Sequence, residues 1–277
     1  MADTSGTSNE VAFAAGELVR LLQRHVPGLV DSLYLVGSAA DGDFRPGRSD
    51  LDFVAVLSRP ASGSDLEALT IVHRLYASDL TFPALDGIWL TSDELTAGPD
   101  AAADGPTTQS GDFVEKGRGN RNPIAWLALR QQPLILLGKP PDRDALWYDP
   151  ERVSSWTCGN VESYWTNWLQ RASNSFSRPG LAMLGKSAPM WGVLGISRLH
   201  YTLATGGLAS KAAAGEYALS AFDQRWQRII REALRIRRGG GASIYRNPLA
   251  RRRDALGFVA MVIADIRSRY CTSGLDL

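Results

Sequence analysis

The chain has 277 residues, 44% of them apolar and 21% charged, with a formal net charge of +1. That composition belongs to an ordinary globular protein with room for two cores, and so small a net charge singles out neither nucleic acid nor a membrane surface as a partner. No apolar run approaches the roughly 20 residues that span a bilayer, and Met1 to Glu10 is polar without the apolar centre of a signal peptide; a cytoplasmic monomer is expected.

In chain order, Val11 to His25 has apolar residues at helical spacing and stops before Pro27 and Gly28. Leu33 to Val36 reads as a strand, Gly37-Ser38 as a turn that opens a short helix, and Leu51 to Leu57 as a second strand. A helix is predicted over Asp65 to Ser78 with Ser64 as its cap, followed by a strand at Ala84 to Leu90. Thr96 to Pro123 is polar and rich in glycine and proline, which predicts a long irregular segment crossing the active-site face. Ile124 to Arg130 resumes as helix, Leu134 to Leu137 is a short buried strand, and Gly138-Lys139-Pro140-Pro141 breaks it.

The character changes near Asp149-Pro150. Trp147 to Ala172 carries Trp156, Trp165 and Trp168 in one helical stretch, and the remainder to Tyr270 is almost wholly helical. The expected organisation is an α/β (α+β) domain with a small mixed sheet over residues 1–149, then an all-α bundle over 150–277. Cys158 and Cys271 have neither metal-ligand nor redox spacing, so they are read as thiols. His25, His73 and His200 make no zinc pattern. No nucleophile elbow or P-loop is present.

The chemistry concentrates at Ser49-Asp50-Leu51-Asp52-Phe53. Residues i and i+2 of a strand share a face, so Asp50 and Asp52 are expected side by side while Leu51 and Phe53 enter the core. At about 6–7 Å two such charges repel by roughly 2–3 kcal/mol at an effective dielectric near 20. A hard divalent cation with oxygen ligands reverses that sign. Gly37 and Ser38, with the amides after them, are placed to meet phosphate oxygens. A third acid, Asp86, lies between apolar residues on the neighbouring strand. Because Asp86-Gly87 is also a turn dipeptide, a turn remains the alternative there.

Gly37-Ser38, a dozen residues and then Ser49-Asp50-x-Asp52 resembles the nucleotidyltransferase superfamily typified by DNA polymerase β. Val36 to Phe53 is further similar to the aminoglycoside nucleotidyltransferases that adenylylate streptomycin and spectinomycin. In the second half, Gly195 to Lys211 resembles that family's L-S-R-x-x-Y-x-x-x-T-G-x-x-x-x-K segment, with Arg198 and Lys211 at the family's separation. The resemblance implies transfer of AMP from ATP to a hydroxyl, with two Mg2+ held by Asp50, Asp52 and Asp86. It also implies nucleotide contacts from Gly37, Ser38, Ser49, Arg198 and Lys211, and an acceptor seated between the domains.

Asp86 stands where the family has the Glu proposed as catalytic base. It is one methylene shorter, which leaves it as base, metal ligand or both. Streptomycin acceptors in the family carry a Trp and an acid before the L-S-R helix, whereas Pro179 to Met190 has neither and offers Lys186. That departure favours spectinomycin over streptomycin. Arginines from Arg225 to Arg253 crowd the last helices; a solvated face is preferred to a nucleic-acid stripe, because no aromatic residues interleave them. Two alternatives remain: a nucleotidyltransferase of the same chemistry acting on a protein or tRNA, and a non-catalytic nucleotide-binding regulator.

Overall fold

The computed structural model describes residues 4–102 and 104–271. It separates into two units, Met1–Asp149 and Pro150–Leu277. In the first, α1 (Thr4–His25) leads into β1 (Val30–Leu35), and β2 (Leu51–Leu57) is followed by α2 (Gly63–Ala77) and β3 (Leu85–Thr91). Then come α3 (Ser92–Ala97), β4 (Gly105–Gln109), β5 (Asp112–Gly117), α4 (Pro123–Gln131) and β6 (Leu134–Leu137). The six strands form one mixed sheet in the order β5-β4-β3-β2-β1-β6. β2 and β3 run parallel, and every other neighbouring pair is antiparallel.

Strand alternation divides the core into two layers. Leu51, Phe53, Ala55 and Leu57 of β2 pack with Leu18 and Leu22 of α1 and Leu69 and Val72 of α2. Val54 and Val56 point the other way and join Ile88 and Leu90 of β3 with Trp126 and Leu129 of α4. This second face also carries Asp52 and Asp86, one strand period before Val54 and Ile88.

Several local expectations are corrected. The cap of α2 is Ser62, not Ser64: its hydroxyl accepts from the Asp65 N–H while the Asp65 carboxylate accepts from the Ser62 N–H, a reciprocal capping box. Residues 96–123 are not irregular throughout, since β4 and β5 form a hairpin there. Its loop is Ser110-Gly111, both at positive φ (51° and 89°) as a type I′ turn demands. β6 is a strand but not a buried one: as the sheet's edge it leaves Leu134 45% exposed. No helix follows Gly37-Ser38; the segment is a run of turns, with the Asp41 N–H donating to Gly37 O at 2.9 Å and the Asp43 N–H to Ser38 O at 3.0 Å.

The second unit is helical: α5 (Pro150–Asn160), a π-helical turn (Val161–Trp165), α6 (Thr166–Ser173), α7 (Arg178–Ala182), α8 (Ser187–Thr205) and α9 (Lys211–Ala221) precede α10 (Gln227–Arg237) and α11 (Pro248–Tyr270). The stretch with three tryptophans is therefore interrupted by the π turn, which ends on Trp165, stacked on Trp191 of α8 at 4.9 Å between ring centroids. Gly192 and Gly195 make room for this cluster, because a Cβ at either would stand 2.5 Å from the Trp168 or Trp165 ring. Val193, Leu194 and Ile196 of α8 are buried with Phe258, Val259, Val262 and Ile263 of α11.

Two further expectations change in this unit. Cys158 and Cys271 are not thiols: the fold brings their Cα atoms to 5.7 Å and they form a disulfide across 113 residues of sequence. Their distance along the chain hid the pairing. The arginine-rich segments are also not simply a solvated face. Glu232 is fully buried and accepts from Arg235, the Ser243 hydroxyl and the Ile244 N–H, while Arg251 donates to the carbonyls of Leu184 and Gly185. Arg252 donates to Ala172 O and Ser173 O. These guanidinium groups tie loops together through carbonyl oxygens. Among the described residues no helix is long and apolar enough to cross a membrane.

His73 of α2 is buried, stacks on Phe113 at 4.7 Å and shares a hydrogen bond with the Thr108 hydroxyl at 3.3 Å. Burial pushes its imidazole down to about 4. Because the folded state keeps it neutral, its contribution is present above about pH 6.5 and declines as pH falls toward 4, by on the order of 3 kcal/mol. The stability–pH curve of His73→Phe is therefore expected to be flatter than that of the parent in this window; parallel curves in denaturant titrations would contradict it. In the helical unit, reduction of the disulfide is expected to cost about 2–4 kcal/mol, read as a lower melting transition with a reductant that spares Cys158→Ser/Cys271→Ser.

Candidate active site

The site is assembled at one end of β2 and β3. β1 delivers Gly37, whose φ of +61° lies in the left-handed region that favours glycine. A Cβ at Gly37 would stand 2.6 Å from Oδ2 of Asp52, so the turn's backbone sits directly on that carboxylate. The contact is fixed from below by the Val36 N–H, which donates to Asp52 O at 3.0 Å. Ser49 closes the intervening loop: its hydroxyl accepts from the Arg45 N–H at 3.0 Å, and its own N–H donates to Arg45 O at 2.9 Å.

Asp52 and Asp86 are register partners on adjacent parallel strands, so their side chains leave the sheet on one face about 4.8 Å apart along the hydrogen-bonding direction. Asp86 belongs to a strand, and Gly87 is there for packing: it pairs with Phe53, and a Cβ would stand 2.5 Å from Phe53 O and from its ring. The turn alternative for Asp86-Gly87 is thereby excluded. Asp50 departs from expectation in one respect, because it precedes β2 rather than lying in it, and it is exposed.

Asp86 is half-buried, and its carboxyl is held above the usual carboxylate range, first by burial and then by the negative charge of Asp50. The Ser110 N–H at the hairpin tip and the Asn120 side chain work against that rise; Asn120 Nδ2 donates to Asp86 Oδ1 at 2.7 Å. Ser110 and Asn120 were missed by sequence reasoning. The available signal was Ser110-Gly111 between Thr107-Thr108 and Phe113-Val114, a hairpin turn dipeptide flanked by strand-forming residues.

Among the described residues no three His, Cys, Asp or Glu side chains are drawn together as a formed metal site. The donor chemistry nevertheless fits a hard divalent cation. All the groups are carboxylate oxygens, two are in register on one face, and a third raises the proton affinity of its neighbour, the repulsion that a cation would relieve.

Arg198 and Lys211 lie in the helical unit. Arg198 of α8 donates through Nε to Ala209 O at 2.9 Å, tying itself to the turn that ends at Ser210, the cap of α9. Lys211 is the first residue of that helix. Gly206, at φ +72°, ends α8 in the left-handed conformation and accepts the reversal between the two.

Gly37, a registered carboxylate pair and a mixed sheet covered by helices define the class as a nucleotidyltransferase fold. Residues 16–83 match the nucleotidyltransferase domain, and residues 156–257 match the aminoglycoside adenylyltransferase C-terminal domain. The first match is to nucleotidyltransferases in general, and the second is the one that points to the aminoglycoside nucleotidyltransferases. Among solved structures, it is similar to a spectinomycin adenyltransferase of Enterococcus faecialis with ATP and spectinomycin, at a TM-score of 0.60 and 14% identity over 90% of this chain and 99% of that one. A toxin-antitoxin structure with AMP-PNP aligns at a TM-score of 0.28 and 15% identity, over 53% of this chain and 90% of that one. No curated protein matches the chain in sequence.

Gly37→Ala is expected to cost about 1–2 kcal/mol from the left-handed backbone alone, and to displace the Asp52 carboxylate. An unchanged urea midpoint would show that the turn does not press on that side chain.

Proposed function

We propose that this chain transfers the AMP moiety of ATP to a hydroxyl of an aminoglycoside or aminocyclitol, spectinomycin before streptomycin, with release of pyrophosphate. The observation that carries it is the registered pair Asp52 and Asp86 under the Gly37 turn. The two domain matches and the fold shared with a structure that holds ATP and spectinomycin support the choice of substrates. The absence of an acid and a Trp over Pro179 to Met190 is the reason for placing streptomycin second.

In this scheme the acceptor oxygen forms a bond to the α-phosphorus, its proton passes to the Asp86 carboxylate, and the α–β bridging P–O bond breaks with its electron pair leaving on pyrophosphate. Asp86 is half-buried, and the Asn120 amide holds one of its oxygens, which leaves the other for the acceptor's proton. Gly37 lets backbone amides approach the triphosphate, Ser38 and Ser49 offer hydroxyl donors, and Arg198 and Lys211 contribute cationic contacts to the phosphates. Asp50, Asp52 and Asp86 would hold two Mg2+, which supply charge neutralisation at the reacting phosphate when bound.

The deciding measurement is magnesium-dependent pyrophosphate release from ATP across a panel of aminoglycosides and aminocyclitols. Turnover with spectinomycin is expected. Silence toward the whole panel, with an AMP adduct on a protein or tRNA, would replace the acceptor class, and ATP binding without any adduct would remove the enzyme. Asp50→Ala and Asp52→Ala should each lower kcat about 100-fold or more with the circular dichroism spectrum unchanged; undiminished turnover in either would remove the metal assignment.

A further inference from the structure

Arg118, Arg121 and Asn122 bracket Asn120 on the segment between β5 and α4, and each is anchored. Arg121 is 2% exposed and donates to Trp89 O at 2.7 Å, Pro106 O at 3.1 Å, Gly117 O at 3.2 Å and Gly105 O at 3.3 Å. Arg118 donates to Pro99 O at 2.9 Å and Ala102 O at 3.3 Å. Asn122 caps α4, its Oδ1 accepting from the Ile124 and Ala125 N–H groups. A surface connection gains little from so many anchors, because water satisfies exposed carbonyl and amide groups as well. What they hold still is Asn120, the one side chain of the four that reaches Asp86, at 2.7 Å.

We propose that Asn120 is a positioning residue of the transfer reaction, its amide fixing the orientation of the Asp86 carboxylate toward the acceptor hydroxyl. This role rests on the nucleotidyl-transfer reading of the same site. The bond is a charge-assisted one from a side chain that cannot itself take a proton from the acceptor. A carboxylate has about four lone-pair sites, so one fixed donor orients it and leaves capacity for a proton or a cation.

The test compares Asn120→Ala, Asn120→Asp and Asp86→Asn in the full chain. For Asn120→Ala, kcat should fall about 10- to 100-fold, as for a misplacement of about 1 Å, while KM for ATP stays within twofold and the melting temperature is unchanged. Asn120→Asp, the same shape without the donor, should fall at least as far. Independently of turnover, the Asn120 side-chain amide signals in the 15N–1H spectrum should move in Asp86→Asn. Unchanged kcat in Asn120→Ala, a joint loss of stability and ATP affinity, or amide signals indifferent to Asp86→Asn would each overturn the positioning role and leave the transfer reading standing. Full turnover in Asp86→Asn would instead remove the transfer reading, and the role with it.

Discussion

Two carboxylates set side by side on neighbouring parallel strands, half-buried and with a third acid close by, are an electrostatic cost that the fold itself imposes. Asp52 and Asp86 are register partners, and the Asp50 charge helps to hold the Asp86 carboxyl above its ordinary range. Hydrophobic burial enforces this arrangement. Phe53 and Ala55 on one face, and Val54 and Ile88 on the other, are buried, and a slip of one residue in either strand would exchange the two layers. The core therefore determines where the charges stand, and the charges determine what the site can bind.

The same logic explains the glycines. Gly87 exists because Phe53 occupies the space its side chain would need, and Gly37 because the turn must close over Asp52 in a left-handed conformation. Neither is a loose joint. Both allow backbone to come within contact distance of a group that a larger residue would displace.

The helical unit carries its polar groups differently. Glu232 is buried and accepts from Arg235, Ser243 and Ile244, Arg251 is buried and donates through Nη2 to the carbonyls of Leu184 and Gly185, and His200 lies between Asp265 at 2.9 Å and the Tyr217 hydroxyl at 2.8 Å. Removing one partner from such a network leaves a charge or a donor stranded, so these contacts specify how α8, α9 and α11 pack more than they add net stability. The disulfide between α5 and the end of α11 restrains the same bundle by limiting the unfolded chain.

Read without coordinates, the residues were sufficient for the sheet strands around Asp52 and Asp86, the change to helices near Asp149, and the likeness to aminoglycoside nucleotidyltransferases, because alternation, helical spacing and a fixed motif are local properties. They were insufficient wherever the outcome depends on the local path of a turn or on a partner distant along the chain. Ser62 rather than Ser64 caps α2 since only the geometry of the turn decides which hydroxyl meets the Asp65 amide. Cys158 meets Cys271 only after α11 has folded across the bundle. Asn120 reaches Asp86, 34 residues before it, only because the hairpin and the buried Arg121 that follows it bring the segment back over the sheet. Residue type and spacing set which groups are available; which of them meet is a matter of chain closure, whose contacts exist in three dimensions alone.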